Sequence, residues 1–234
     1  MGYPKDTFRF GCMASLYMQN AIESFIETKE IFHWIKTNKE EYPQYTEENL
    51  ARKASVVIVF SAMAVESFLN DYAAAVLEDN NYYDCYDSLN ICNKFQLIVQ
   101  FILHKKFEKG NEPYGLLSKL VKNRNELVHN KSQDFSGILE NPTNFQGEKK
   151  FDYLTILKED VDKATDAIRA VVKLVNYFEE NDLETSACER MFAHYTLCYF
   201  ENEPESLELK ELLKLGLNVT RQKPLTMQKT KKQI

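Results

Sequence analysis

Apolar residues recur at three- and four-residue steps through most of this chain, a period that predicts helices. Residues 8–36 form the first, with Tyr17, Ala21, Phe25, Phe32 and Ile35 on one side. A polar turn follows, in which Pro43 prevents continuation. Thr46 is placed to cap the second helix, 46–79, and Glu47 and Glu48 complement the dipole of its first turn. From Val56 to Leu69 this helix is apolar nearly all round, which predicts a place in the middle of a bundle. The tract DNNYYDCYD has no helical period and reads as a loop. Residues 88–103 give a third helix striped by Ile91, Phe95, Ile98 and Ile102. After a loop, Gly110 ends one element and Pro113 stands where the next can begin. The helix over 116–131 comes next, with no Pro or Gly inside it.

Residues 132–157 contain Gly137, Pro142 and Gly147, and a connection this long is usually functional or mobile. Residues 150–157 and 136–139 are the one place where a short strand pairing is conceivable. Residues 159–180 are the clearest amphipathic helix, following the period at Val161, Ala164, Ile168, Val171, Val175 and Phe178. Residues 185–201 and 205–215 give further helices, the latter with Leu207, Leu209, Leu212, Leu213 and Leu215, and Gly216 as its cap. The expectation is an all-α antiparallel bundle. Its domain covers 1–182, a helical extension 183–216, and a basic, flexible tail 217–234.

Composition adds bounds. A chain of 234 residues supports one full core, and seven Gly with six Pro are few for a turn-rich β architecture. The net charge of −6 is unevenly spread. Residues 104–131 hold seven Lys or Arg against three Glu, a local balance of +4, and the tail holds five basic residues and no acid. Global acidity argues against indiscriminate coating of nucleic acid, while a local basic patch can still hold a phosphate. The cysteines at 12, 85, 92, 188 and 198 form no C-x-x-C pair and read as reduced core fillers. The longest apolar run, 54–65, is shorter than the roughly 20 residues a spanning helix needs. With no leader-like start, a cytoplasmic location is expected.

Two charges break otherwise apolar stripes. Leu117, Val121, Arg124 and Val128 trace one face of the 116–131 helix, so Arg124 stands where a leucine would be expected. On the second helix Glu66 is the charged member of the face Val59, Ala62, Leu69 and Ala73. An unpaired buried charge is costly, which predicts that Glu66 and Arg124 face each other. Beside Arg124 runs a polar stripe of Ser118, Lys122, Asn125 and His129.

The spacing Arg124-Asn125-x-x-x-His129 resembles the Arg-x(4–6)-His signature of the HEPN superfamily (higher eukaryotes and prokaryotes nucleotide-binding domains), and FSAMAVESFLNDY at 60–72 is similar to its acid-bearing core helix. The resemblance implies a HEPN-like bundle acting as a metal-independent endoribonuclease. Its single composite site would lie across a homodimer formed through the motif helix, leaving 2′,3′-cyclic phosphate ends. It implies Arg124, Asn125 and His129 as catalytic residues, Glu66 as support, and no metal or cofactor. Lys119, Lys122 and Lys131 are candidate RNA contacts. Such proteins act in toxin–antitoxin, abortive-infection and other antiviral defence systems, so an antitoxin or defence partner protein is implied too. Members silenced by nucleotidyl transfer carry a Tyr shortly after the His; here Asn-Lys-Ser-Gln-Asp-Phe follows His129. The competing reading is a non-catalytic module that binds nucleotide or protein, with Glu66–Arg124 as a structural pair. Phosphate loops, nucleophile elbows and metal-ligand histidine spacings are absent from the sequence.

Overall fold

Helices fill the computed structural model, which describes residues 13–38, 45–77, 82–128, 153–182, 186–200 and 206–218. It is all-α, with no strand among the described residues. In chain order these are α1 (Met13–Thr37), α2 (Tyr45–Val76), a π-helical turn at Tyr82–Tyr86, and α3 (Ile91–Leu97), which runs into a second π-helical turn at Ile98–Ile102. Then come α4 (Glu112–Val128), α5 (Tyr153–Asn181), α6 (Ala187–Phe200, kinked at Phe192) and α7 (Leu207–Lys214).

The all-round apolar helix takes the position its pattern predicts. α2 packs against α1, α3, α4, α5 and α6. Leu50, Val57, Ala64, Val65, Phe68, Leu69 and Ala73 along it are fully buried, and each large apolar side chain withdrawn from water contributes about 1.5–3 kcal/mol. By length and composition alone, Thr46–Val76 is apolar enough to cross a membrane; half of its most apolar window is buried among the other helices.

Pairwise contacts fix directions. The Lys53–Glu27 ion pair and the Tyr17–Phe60 ring contact set α1 antiparallel to α2. Phe68 against Phe178, and Tyr72 donating to Asp182 at 2.6 Å, set α5 parallel to α2, with matching residues about 110 positions apart. Lys119 to Asp166 and Lys173 to Glu112 set α4 antiparallel to α5. A smaller apolar cluster, Ile35, Leu50 and Leu157, closes the end of the bundle where α1 finishes and α2 and α5 begin. By the same register, the C-terminal end of α4 lies at that end.

The C-terminal helices share the main core: Ala187, Cys188, Met191, Phe192, Tyr195 and Leu212 belong to the same buried cluster as α2 and α5. α7 ends as its glycine predicts. Gly216 has φ +91°, its N–H donates to Leu213, and the Leu217 N–H donates to Leu212, which together make a Schellman cap. Asn176 of α5 ties this end down, donating to the Gly216 carbonyl at 2.7 Å and accepting from the Asn218 N–H at 3.0 Å.

Several boundaries differ from the sequence expectation. α2 begins at Tyr45, so Thr46 lies inside it and is not its cap. α3 begins at Ile91 rather than at 88, with Asn90 as its cap, accepting from the Asn93 N–H. The tract expected to be a loop contains the Tyr82–Tyr86 turn, because Tyr86 is pulled fully into the core and donates to the Leu69 carbonyl at 2.9 Å. α5 begins six residues early, so 153–157 are helical rather than a strand, with Leu157 buried in the end cluster. The rest of the expected strand pairing, the long connection and the tail from 219 lie outside the described residues. Among the cysteines, Cys188 is buried, and burial first, with Glu179 and Glu189 adding, pushes its thiol up to about 12. Cys85 is exposed and so is no core filler.

Candidate functional site

The motif helix α4 is well anchored at its start. The Asn111 side chain accepts from the Tyr114 N–H at 2.9 Å, which caps the helix ahead of Pro113. Leu117 and Leu120 are buried and hold α4 to the core. The opposite face, Gly115, Ser118, Lys122 and Asn125, is exposed, as the polar stripe predicts. Towards its C-terminal end α4 rises out of the core: Val121 and Arg124 are half-buried, while Leu127 and Val128 are 41% and 50% exposed.

Arg124 is therefore at the margin of the bundle, not inside it. Its Nη1 donates to Oδ1 of its neighbour Asn125 at 3.0 Å, and it forms no ion pair among the described residues. Of the candidate RNA contacts, Lys119 is engaged by Asp166 at 2.6 Å, a carboxylate it shares with Arg169. Lys122 is largely free, its Nζ 3.9 Å from Glu126. His129 and Lys131 lie outside the described residues. Asp160 of α5 is level with Asn125 in the register; burial raises its carboxyl above the ordinary range, Lys163 lowers it and Glu159 raises it. Among the described residues no three His, Cys, Asp or Glu side chains are grouped to hold a metal ion.

The expected Glu66–Arg124 pair is not formed. With α4 antiparallel to α5, and α5 parallel to α2, Arg124 is level with about residue 52 of α2. Glu66 is then roughly 20 Å further along, at ~1.5 Å per residue. Its partner is Lys94 of α3, Nζ to Oε1 3.4 Å. Lys94 is 2% exposed, Glu66 38%, and the ammonium also lies over the Tyr86 ring, 5.7 Å from its centroid. Glu66 supports the packing of α3 on α2 and does not touch Arg124 or Asn125. The signal for Lys94 was present in the sequence, since it is the one charged residue in 88–103.

No protein-family model matches the chain, and comparisons with curated proteins and with solved structures give no match either. What fold and site define together is an all-α bundle with an arginine–asparagine pair on the emergent end of its fourth helix.

Proposed function

We propose that this chain is a metal-independent endoribonuclease of the HEPN type, cytoplasmic, homodimeric through α4, and acting in a toxin or antiviral defence role. The observation that carries the reading is the state of Arg124. Its guanidinium has five N–H donors, and the one hydrogen bond it makes among the described residues goes to Asn125. The remaining donors can grip two phosphate oxygens with a rigid fork. Both this reading and its non-catalytic rival expected Glu66 behind Arg124. Glu66 is taken by Lys94, so the ribonuclease reading is carried by Arg124, Asn125 and the Arg-Asn-x-x-x-His spacing without that acid behind them.

The chemistry follows from the residue types. In this reading His129 takes a proton from the ribose 2′-hydroxyl, a role imidazole chemistry suits. The 2′-oxygen attacks phosphorus, Arg124 neutralises charge on the non-bridging oxygens, and Asn125 orients the phosphate. The 5′-oxygen departs with a proton from a second histidine. One chain offers one such histidine in the motif, and a twofold partner supplies the other. Leu127 and Val128, exposed beside the polar stripe, give that partner an apolar rim to cover.

The test is incubation of the purified protein with end-labelled RNA in chelator, alongside Arg124→Ala and His129→Ala. The wild type is expected to cleave, and each folded variant to be at least ~100-fold slower, the scale of a lost acid–base or electrostatic group. Full activity in His129→Ala would defeat the reading.

A further inference from the structure

The corner between α3 and α4 presents an aromatic ring to solvent just ahead, along the chain, of a run of exposed cations. Phe101 is 69% exposed, a large cost for a side chain of its kind. Lys94, seven residues earlier and therefore on the same face of a regular α-helix, is buried. A regular helix would have turned Phe101 inward. The π-helical turn Ile98–Ile102 breaks that rotation: Ile98 and Val99 stay fully buried and Phe101 swings out. The wide turn is closed by His104 at φ +52°, with the Leu103 N–H donating to Ile98 and the Lys105 N–H to Val99, both at 2.9 Å. Such insertions recur at functional sites.

His104, Lys105, Lys106 and Lys109 follow immediately, all exposed, against one acid, Glu108, which pairs with Lys106 at 3.0 Å. The loop is held in place. Phe107 packs between them on the rings of Phe95 and Tyr114, centroids 6.2 and 5.0 Å away, and the Asn111 N–H donates to the Glu108 carbonyl. From this corner the outward face of α4 leads to Arg124, roughly 18 Å from Glu112 at ~1.5 Å per residue. Among the described residues that face is open at Gly115, where even an added Cβ would meet no atom within 4 Å.

We infer that Phe101 and the Lys105–Lys106–Lys109 loop form a second contact for single-stranded RNA, a base stacked on the ring and phosphates held by the lysines. The strand then runs along α4 to the motif end. An exposed ring followed within eight residues by three exposed lysines suits a flat base in an anionic chain; a protein partner needs a broader apolar patch. The inference takes its ligand class from the ribonuclease reading, yet requires binding only.

The probe is a fluorescent single-stranded 2′-O-methyl RNA of about 15 nucleotides, which binds but offers no 2′-hydroxyl to cleave. Phe101→Ala is expected to weaken binding roughly 5- to 150-fold and Phe101→Trp to retain it. Replacing Lys105, Lys106 and Lys109 by Gln should flatten the slope of log affinity against log salt by about 2, at ~0.7 per phosphate contact. All four positions lie outside the main core's fully buried set, so melting temperatures should hold and separate lost contact from lost fold. Wild-type affinity in both variants overturns the inference, as does a change in self-association in Phe101→Ala with RNA binding intact, which would make the ring a protein contact. Cleavage is scored separately on unmodified RNA. Binding without cleavage removes the catalytic reading and leaves this surface standing; cleavage with binding indifferent to these substitutions removes the surface alone.

Discussion

Lys94 carries its charge into a core of Ile91, Phe95 and Ile98, and the one carboxylate that meets it among the described residues is Glu66. At 3.4 Å, with Glu66 partly in water, this pair is weaker than a fully buried one. Glu66→Ala is nevertheless expected to cost about 1–3 kcal/mol, because the ammonium stays buried without its partner. Lys94→Met should be near neutral or stabilising, and in that background Glu66→Ala should cost under about 0.5 kcal/mol. Glu66 and Arg124, by contrast, should behave additively within about 0.5 kcal/mol in a denaturant-unfolding cycle. Strong coupling between Glu66 and Arg124 would mean the register of α2 against α4 is wrong. A stripe argument finds which residues face inward along one helix, but it carries no information on how far two helices slide past each other. That is why Glu66 and Arg124 looked like partners while the other lone charge, Lys94, took the place.

Helix ends supply the next level. Glu179 of α5 accepts the Cys188 N–H at 2.7 Å and so caps α6 from a neighbouring helix. Burial raises its carboxyl, the Cys188 and Ala187 N–H groups pull it back down, and Glu189 and Asp182 push it up. With the folded value above the unfolded one, its contribution to stability is present at acid pH and lost as pH rises through the folded pKa. Glu179→Gln keeps an acceptor for the cap and removes the charge. It should be at least as stable as wild type at neutral pH, with a flatter pH dependence, whereas Glu179→Ala should lose about 0.5–2 kcal/mol. Urea unfolding at neutral and acid pH measures both; a Gln variant as weak as the Ala variant would show that the charge itself makes the cap. The long helices, the central place of α2 and the glycine cap of α7 were legible because each depends on local period or local conformation. The Tyr82–Tyr86 turn, the turn that exposes Phe101 and the early start of α5 were not, since tertiary burial of Tyr86, Ile98 and Leu157 decides them.

At the scale of the whole molecule, helices bring Arg124 and Asn125 to an end of the bundle where Leu127 and Val128 are exposed in a single chain. A twofold partner covering them would complete the site. Sedimentation is expected to show a dimer at micromolar concentration, and Leu127→Glu a folded monomer whose cleavage is lost with its assembly. An active monomer would refute the composite site. The exposed polar stripe of the site was readable in the sequence, and Lys94 stood out there as a lone charge; which lone charge Glu66 would meet was not, because it depends on helix register. The central claim is that the motif drives attack by the 2′-hydroxyl, and the ends of the RNA products test it most directly. Wild-type protein in excess chelator should leave 2′,3′-cyclic phosphate and 5′-hydroxyl ends, and His129→Ala should leave the RNA intact while remaining dimeric. Products bearing 3′-hydroxyl and 5′-phosphate, or cleavage that chelator abolishes, would contradict the account.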